Sequence, residues 1–140
     1  MRPSSSGRRS ELKVVCPVDC GNAPRKEILR DWNIAWARGE AAAADLLADN
    51  VVYEPVGAPP VEGKAAVMAA FASRFGGDAA RPEELHIHNI ITHGNTAALN
   101  ASLLMPGGRV EYCHVYLFNG FAKSAKLKRI TEYRIETGAN

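Results

Sequence analysis

The sequence predicts an α+β domain in which helices cover one long, curled antiparallel sheet and enclose a cavity. Three observations carry this. Four amphipathic strand-like stretches follow one another over residues 84–136. Helical segments precede them, so helices and strands are segregated along the chain rather than alternating. Between the two groups lies a short apolar run that ends in a lone acid, Val51-Val52-Tyr53-Glu54-Pro55-Val56-Gly57. A bent sheet closed by helices leaves a hollow, and hollows of that kind take small molecules.

The elements follow in order. Asn22 is suited to cap a helix, and Pro24 is tolerated in its first turn. Ile28, Leu29, Trp32, Ala35 and Trp36 recur at helical spacing, and Gly39 ends the helix. A second, alanine-rich helix is expected over residues 40–48, then a turn at Asp49-Asn50 and a short strand over residues 51–54. Pro55, Gly57, Pro59, Pro60 and Gly63 break regular structure. A third helix starts near Lys64, packs Val67, Met68, Phe71 and Phe75 inward, and stops at Gly76-Gly77. The sheet strands are expected at Glu84–His93, Thr96–Met105, 109–119 and 126–136. Gly94-Asn95 and Pro106-Gly107-Gly108 are tight links, so an antiparallel meander is the economical topology.

The chain has 140 residues, enough for one domain with one core, and 46% of them are hydrophobic. Residues 1–21 are expected to form a loose N-terminal arm, and residues 22–140 the single domain. The net charge of +2 does not argue for a nucleic-acid partner, because Arg2, Arg8 and Arg9 of the arm contribute to it. The densest basic run, Lys123, Lys126, Lys128 and Arg129, is read as a solvated turn and strand start. No apolar stretch follows the first arginines as in a secretory signal, and nothing is long enough to span a bilayer. The expected location is the cytoplasm, with no membrane partner. The three cysteines, Cys16, Cys20 and Cys113, are an odd number, which argues against a disulfide framework. Neither Cys16-Pro-Val-Asp-Cys20 nor His86-Ile-His88 makes a metal site alone.

Strand periodicity sorts side chains onto faces. Val110, Tyr112, His114, Tyr116 and Phe118 share one side of the third sheet strand; Glu111, Cys113, Val115 and Leu117 share the other. On the last strand Ile130, Glu132 and Arg134 lie on one side. Both faces of these strands carry apolar or aromatic residues. One face is expected to cover the cavity and the other to meet a second subunit.

Four stretches carry a family resemblance. They are Trp36-Ala-Arg-Gly39-Glu40, Leu47-Ala-Asp49-Asn50-Val-Val-Tyr-Glu54, Val61-Glu-Gly63-Lys64-Ala-Ala-Val-Met-Ala-Ala-Phe71, and His114-Val-Tyr-Leu-Phe118 leading to Ile130-Thr-Glu-Tyr133. Together they resemble the nuclear transport factor two-like superfamily, in its SnoaL-like and ketosteroid-isomerase-like branch. The resemblance implies a cone: a strongly curved antiparallel sheet, with about three N-terminal helices closing a pocket. It also implies a homodimer that pairs sheet faces. Glu54-Pro55-Val56-Gly57 matches the element that carries the isomerases' proton-abstracting acid, so the resemblance places Glu54 in that role. Trp32 stands where those enzymes have a tyrosine, and His114 where they have a protonated aspartic acid. Both replacements can donate a hydrogen bond, but a true steroid isomerase is not expected. The Asp-Arg-Asp arrangement of the fold's epoxide hydrolase is not matched either: Glu132 falls near its last-strand acid, but Asn100-Ala-Ser102 stands where its Arg-x-Asp is needed.

The expected activity is therefore proton transfer on a small, apolar carbonyl compound, as in a cofactor-independent isomerase or cyclase. Glu54 is the expected base, because a carboxylate against apolar walls can act near neutral pH. His114 is the expected partner that steadies negative charge on the substrate oxygen. Trp32, Tyr112, Tyr116, Ile130, Glu132 and Arg134 are the expected substrate contacts, and no cofactor or metal is required. The alternatives stay open. Glu54 also reads as a solvated strand-end acid, His114 as a satisfied core histidine, Trp32 as core, and Glu132 with Arg134 as a surface pair. The rival for the whole chain is a non-catalytic, homodimeric ligand-binding or association module.

Overall fold

A computed structural model of the protein describes residues 12–16, 24–75 and 81–137. The expected cap at Asn22, the stop at Gly76-Gly77 and most of the proposed arm lie outside the described residues. The first helix, α1 (Pro24–Ala37), buries Leu29, Trp32, Asn33, Trp36 and Ala37 along one face. Gly39 ends it in the left-handed region at φ 75°. Its N–H bonds Trp36 O at 3.0 Å and the next N–H, of Glu40, bonds Ala35 O at 2.9 Å, so the last carbonyls of the helix are satisfied. The alanine-rich segment forms a six-residue 3-10 helix, Ala41–Leu46, rather than a longer α-helix. It is short because Leu47 already belongs to β2 (Leu47–Pro55), whose ladder extends well upstream of the expected start at Val51.

The remaining elements are β3 (Val61–Glu62), α2 (Lys64–Phe75), β4 (Glu84–His93), β5 (Thr96–Met105), β6 (Gly108–Phe118) and β7 (Leu127–Thr137). A further edge strand, β1 (Lys13–Val15), lies within the segment read as a loose arm. The seven strands form one open sheet in the order β1-β4-β5-β6-β7-β2-β3. The meander expected for β4 to β7 is present and antiparallel throughout. Both flanks depart from it: β1 joins β4 in parallel and β2 joins β7 in parallel. Parallel neighbours need long crossovers, and the α1 and α2 segments supply them. Register shifts after Ile87 and after Leu117 mark irregularities that bend and twist the sheet. No described helix is long and apolar enough to cross a membrane.

The concave face carries Leu99, Ala101 and Leu103 of β5, Tyr112, His114 and Tyr116 of β6, and Ile130 and Glu132 of β7, all buried. α1 and α2 close over them with Trp32, Trp36 and Phe71. The convex face is mixed. One cross-strand row runs Ile91–Ala98–Val115–Thr131, the next Asn89–Asn100–Cys113–Tyr133, and the next His86–Ser102–Glu111–Ile135. Of these, Ile91, Val115, Tyr133 and Ile135 are exposed. Cys113 is a free thiol, and burial raises its pKa. Cys16 is disulfide-bonded, so the odd count ruled out full pairing but not a single bridge.

A polar ladder crosses the same face. The Ser102 hydroxyl donates to Glu111 and shares a 2.8 Å hydrogen bond with His88 Nε2, while Arg109 Nε donates to Glu111 at 2.8 Å. The Ser102 hydrogen bond, and then the Arg109 charge, hold the Glu111 carboxyl below its ordinary 4.5. A depressed folded-state value stabilises above the unfolded pKa, and that contribution fades as pH falls through the folded value. Carboxyl-carbon NMR titration should find Glu111 titrating below 4.5, and Ser102→Ala should move it upward; an unmoved midpoint contradicts the ladder.

Candidate functional site

The interior of the cone holds a continuous buried hydrogen-bond chain. Parallel pairing sets Tyr53 of β2 beside Ile130 of β7, with its ring turned inward. Tyr53 Oη donates to Glu132 Oε1 at 2.6 Å. The other carboxylate oxygen, Glu132 Oε2, lies 2.8 Å from His114 Nε2, directly across the β6–β7 ladder. His114 Nδ1 is 2.9 Å from Tyr116 Oη, two residues along the same face. Asn33 of α1 donates through Nδ2 to Tyr116 Oη at 3.0 Å, and its Oδ1 accepts from Tyr112 Oη at 2.8 Å and Trp36 Nε1 at 3.2 Å. His114 is 0% and Glu132 1% exposed.

Aromatic rings enclose the imidazole. The centroids of Tyr112, Tyr116, Trp32, Trp36 and Phe71 lie 4.6, 5.4, 6.1, 6.1 and 6.2 Å from that of His114. Burial, reinforced by the nearby Glu132 charge, pushes the Tyr112 and Tyr116 phenols above their ordinary 10. Both therefore stay O–H donors at any working pH. A buried carboxylate and imidazole in such a shell are costly to desolvate unless hydrogen-bonded on every side, and here each has two short contacts.

The sequence-predicted residues sort into three groups. His114, Glu132, Tyr112, Tyr116 and Ile130 converge on the concave face as expected. Trp32 is there too, but its indole N–H is bonded to Ala43 O at 3.0 Å, tying the 3-10 helix to α1. Glu54 and Arg134 stand apart. Glu54 points away from the interior; its side chain is 40% exposed and paired with Arg129 Nη2 at 3.0 Å. The expected convergence of Glu54 with His114 is thus not what the structure shows, because alternation along β2 turns Tyr53 inward and Glu54 outward. Arg134 faces Tyr112 in register but reaches Glu136 at 2.7 Å. The imidazoles of His86 and His88 go to different partners, Glu84 and Ser102. No group of three or more potential metal ligands occurs among the described residues.

Two contributors escaped the sequence reading. Asn33 had a legible signal: a polar residue on the buried stripe with Leu29, Trp32 and Trp36. Tyr53 could have been found from the strand phase that places it on the same face as Val51. The expected hollow is filled by these side chains. Several depressions lined by described residues lie elsewhere. One of about 430 Å³ sits between α1 and the 3-10 helix, over Ile28, Ala35 and Leu46; another of about 240 Å³ lies on the convex face beside Cys113, Tyr133 and Ile135.

The two acids should behave oppositely in denaturant unfolding. Glu132→Leu leaves two buried donors without an acceptor and should cost roughly 3 kcal/mol or more. Glu54→Gln removes an exposed pair worth about 0–1 kcal/mol. Equal effects would contradict the assignment of the two faces.

No curated protein sequence matches the chain. Solved structures share its fold at low identity. An NTF-2-like protein of unknown function from Burkholderia xenovorans LB400 superposes with a TM-score of 0.65 at 18% identity, covering 85% of this chain and 88% of that one. A provisionally named SnoaL-like polyketide cyclase from Jannaschia sp. CCS1 gives 0.61 at 16% identity, covering 79% and 84%. A provisionally named ketosteroid isomerase from Kribbella flavida gives 0.58 at 19% identity, covering 81% and 76%. The family model for the SnoaL-like domain matches residues 29–123, from the buried face of α1 to the connection after β6. The chain belongs to the SnoaL-like domain family.

Proposed function

We propose that the protein is a small-molecule pocket protein that carries out cofactor-independent proton transfer on an apolar carbonyl compound, with Glu132 rather than Glu54 as the base. The observation that supports this most is the buried Glu132–His114 pair. Replacing such a pair with apolar side chains of similar volume is often neutral or stabilising. An interior built for stability alone has no need of an ionisable pair with three phenols around it, and such groups cluster at functional sites.

The chemistry is simple to balance. Glu132 takes a proton from the carbon next to the substrate carbonyl: the C–H bond breaks, an O–H bond forms on Glu132, and the electron pair moves onto the carbonyl oxygen. The Tyr112 O–H, released from Asn33 Oδ1, donates to that oxygen as its charge grows. Return of the proton to a different carbon completes an isomerisation. Attack of the enolate carbon on a second carbonyl forms the C–C bond, and the proton held by Glu132 passes to the new alkoxide, which completes an aldol-type cyclisation. His114 holds the carboxylate in place and shares its charge. Trp32, Trp36 and Phe71 close the space above. The polyketide cyclase and isomerase names borne by structural neighbours agree with this class of reaction.

The filled interior favours a second reading, a non-catalytic association module in which the chain of hydrogen bonds only specifies the packing. Turnover on a panel of enolisable ketones and β-dicarbonyl compounds separates the two. Glu132→Gln should lower the rate by about a hundredfold or more, the usual worth of a positioned base. Glu54→Gln should leave it within about twofold of wild type by the same measure. Loss of activity in Glu54→Gln with retention in Glu132→Gln would reverse the assignment, and no turnover by the wild-type protein would leave the second reading standing.

We further propose a homodimer through the convex face, where Ile135 is 67% and Tyr133 52% exposed beside Val115 and Ile91. A contiguous apolar patch of that kind marks an interface. Wild-type protein should sediment as a dimer and Tyr133→Lys with Ile135→Lys as a monomer; a monomeric wild type contradicts the proposal.

A further inference from the structure

We infer that Asn33 is a positioning residue that sets the direction of the whole buried chain and thereby fixes which nitrogen of His114 carries the proton. The inference rests on the reading of Glu132 and His114 as the reactive pair, and it goes beyond that reading by assigning a hydrogen to each bond. The orientation of the Asn33 amide is determined by two one-way partners. The indole N–H of Trp36 can only donate, so the atom facing it at 3.2 Å is Oδ1. The carbonyl of Leu29 can only accept, so the atom facing it at 2.9 Å is Nδ2. The two agree, and the second N–H of Nδ2 is therefore directed at Tyr116 Oη, 3.0 Å away.

The consequence passes along the chain. Tyr116 Oη accepts from Asn33, and among the described residues its own proton has one acceptor within reach, His114 Nδ1 at 2.9 Å. Nδ1 is then an acceptor and carries no hydrogen. The ring proton sits on Nε2 and is donated to Glu132 Oε2 at 2.8 Å. Tyr53 donates to the other carboxylate oxygen. The opposite arrangement, with the hydrogen on Nδ1, leaves the Tyr116 hydroxyl proton buried without an acceptor, which proteins rarely tolerate. Every bond from Asn33 onward therefore points toward Glu132. The carboxylate is the accepting end of the chain and is held ready to take a proton, while His114 cannot act as the base through Nε2. The hydrogen bonds of Asn33 go to Leu29, Tyr116, Trp36 and Tyr112, and it acts on His114 through Tyr116.

Nitrogen-15 NMR of the histidine-labelled protein, read without substrate, tests this. Wild-type His114 should show a protonated-type Nε2 and an unprotonated-type Nδ1. In Asn33→Asp the new carboxylate can no longer donate to Tyr116. The Tyr116 hydroxyl turns to donate to residue 33 and its oxygen becomes an acceptor toward His114, so a proton should appear on Nδ1 beside the one that Nε2 keeps for Glu132. A wild-type spectrum with the hydrogen on Nδ1, or an Asn33→Asp spectrum identical to wild type, overturns the inference. Should Asn33→Asp fail to fold, Tyr116→Phe serves: the His114 Nδ1 resonance should move as it loses its donor while staying unprotonated, and an unmoved resonance overturns the inference. A purely structural role for Asn33 would alter stability without protonating Nδ1. The spectrum and the turnover of Glu132→Gln are independent, so failure of one leaves the other standing.

Discussion

The hydrogen bond between Glu132 and His114, at 2.8 Å and sealed from solvent, is the constraint on which the rest of the architecture depends. A carboxylate and an imidazole in an apolar interior are tolerated only when each polar atom has a partner. That requirement recruits Tyr53 from β2, Tyr116 from β6 and Asn33 from α1, and so draws three separately encoded elements toward β7. Parallel pairing of β2 with β7 is what brings Tyr53 within reach. The fold and the candidate chemistry share one set of contacts, and a substitution in the chain is felt in both.

The two faces of the sheet divide the work. On the concave face, polar groups are few, buried and linked into one series. On the convex face they form short, separate ladders, such as Ser102 with Glu111 and Arg109, around exposed apolar side chains. Exposed pairs such as Glu54 with Arg129 contribute little to stability and are free to vary with a partner. The basic run read as a solvated turn behaves in that way: Lys126 Nζ bonds Asp45 O at 2.6 Å and Lys123 and Lys128 are exposed.

Much of the fold was legible because periodicity is a strong signal over long segments. α1, α2 and the four strands from Glu84 to Thr137 are near where alternation and turn residues place them. β1 was missed because three residues show no period, and its parallel pairing with β4 is a tertiary event. The parallel attachment of β2 to β7 is likewise invisible to local reasoning. The site was half legible. His114, Tyr112, Tyr116 and Glu132 followed from strand phase. Glu54 was placed by its motif rather than by its phase, and an error of one residue in a strand turns a side chain to the opposite face. Asn33 was overlooked because the eye collects apolar residues along a helix stripe, whereas the informative residue was the polar one among them.

In the resting protein the polar chain is closed to water. Hydrogen exchange of the His114 ring proton, followed by NMR, tests it most directly. This proton should exchange only as fast as the protein unfolds globally. Exchange that is complete as soon as the sample is dissolved in heavy water would mean that solvent reaches the pair freely, and would contradict it.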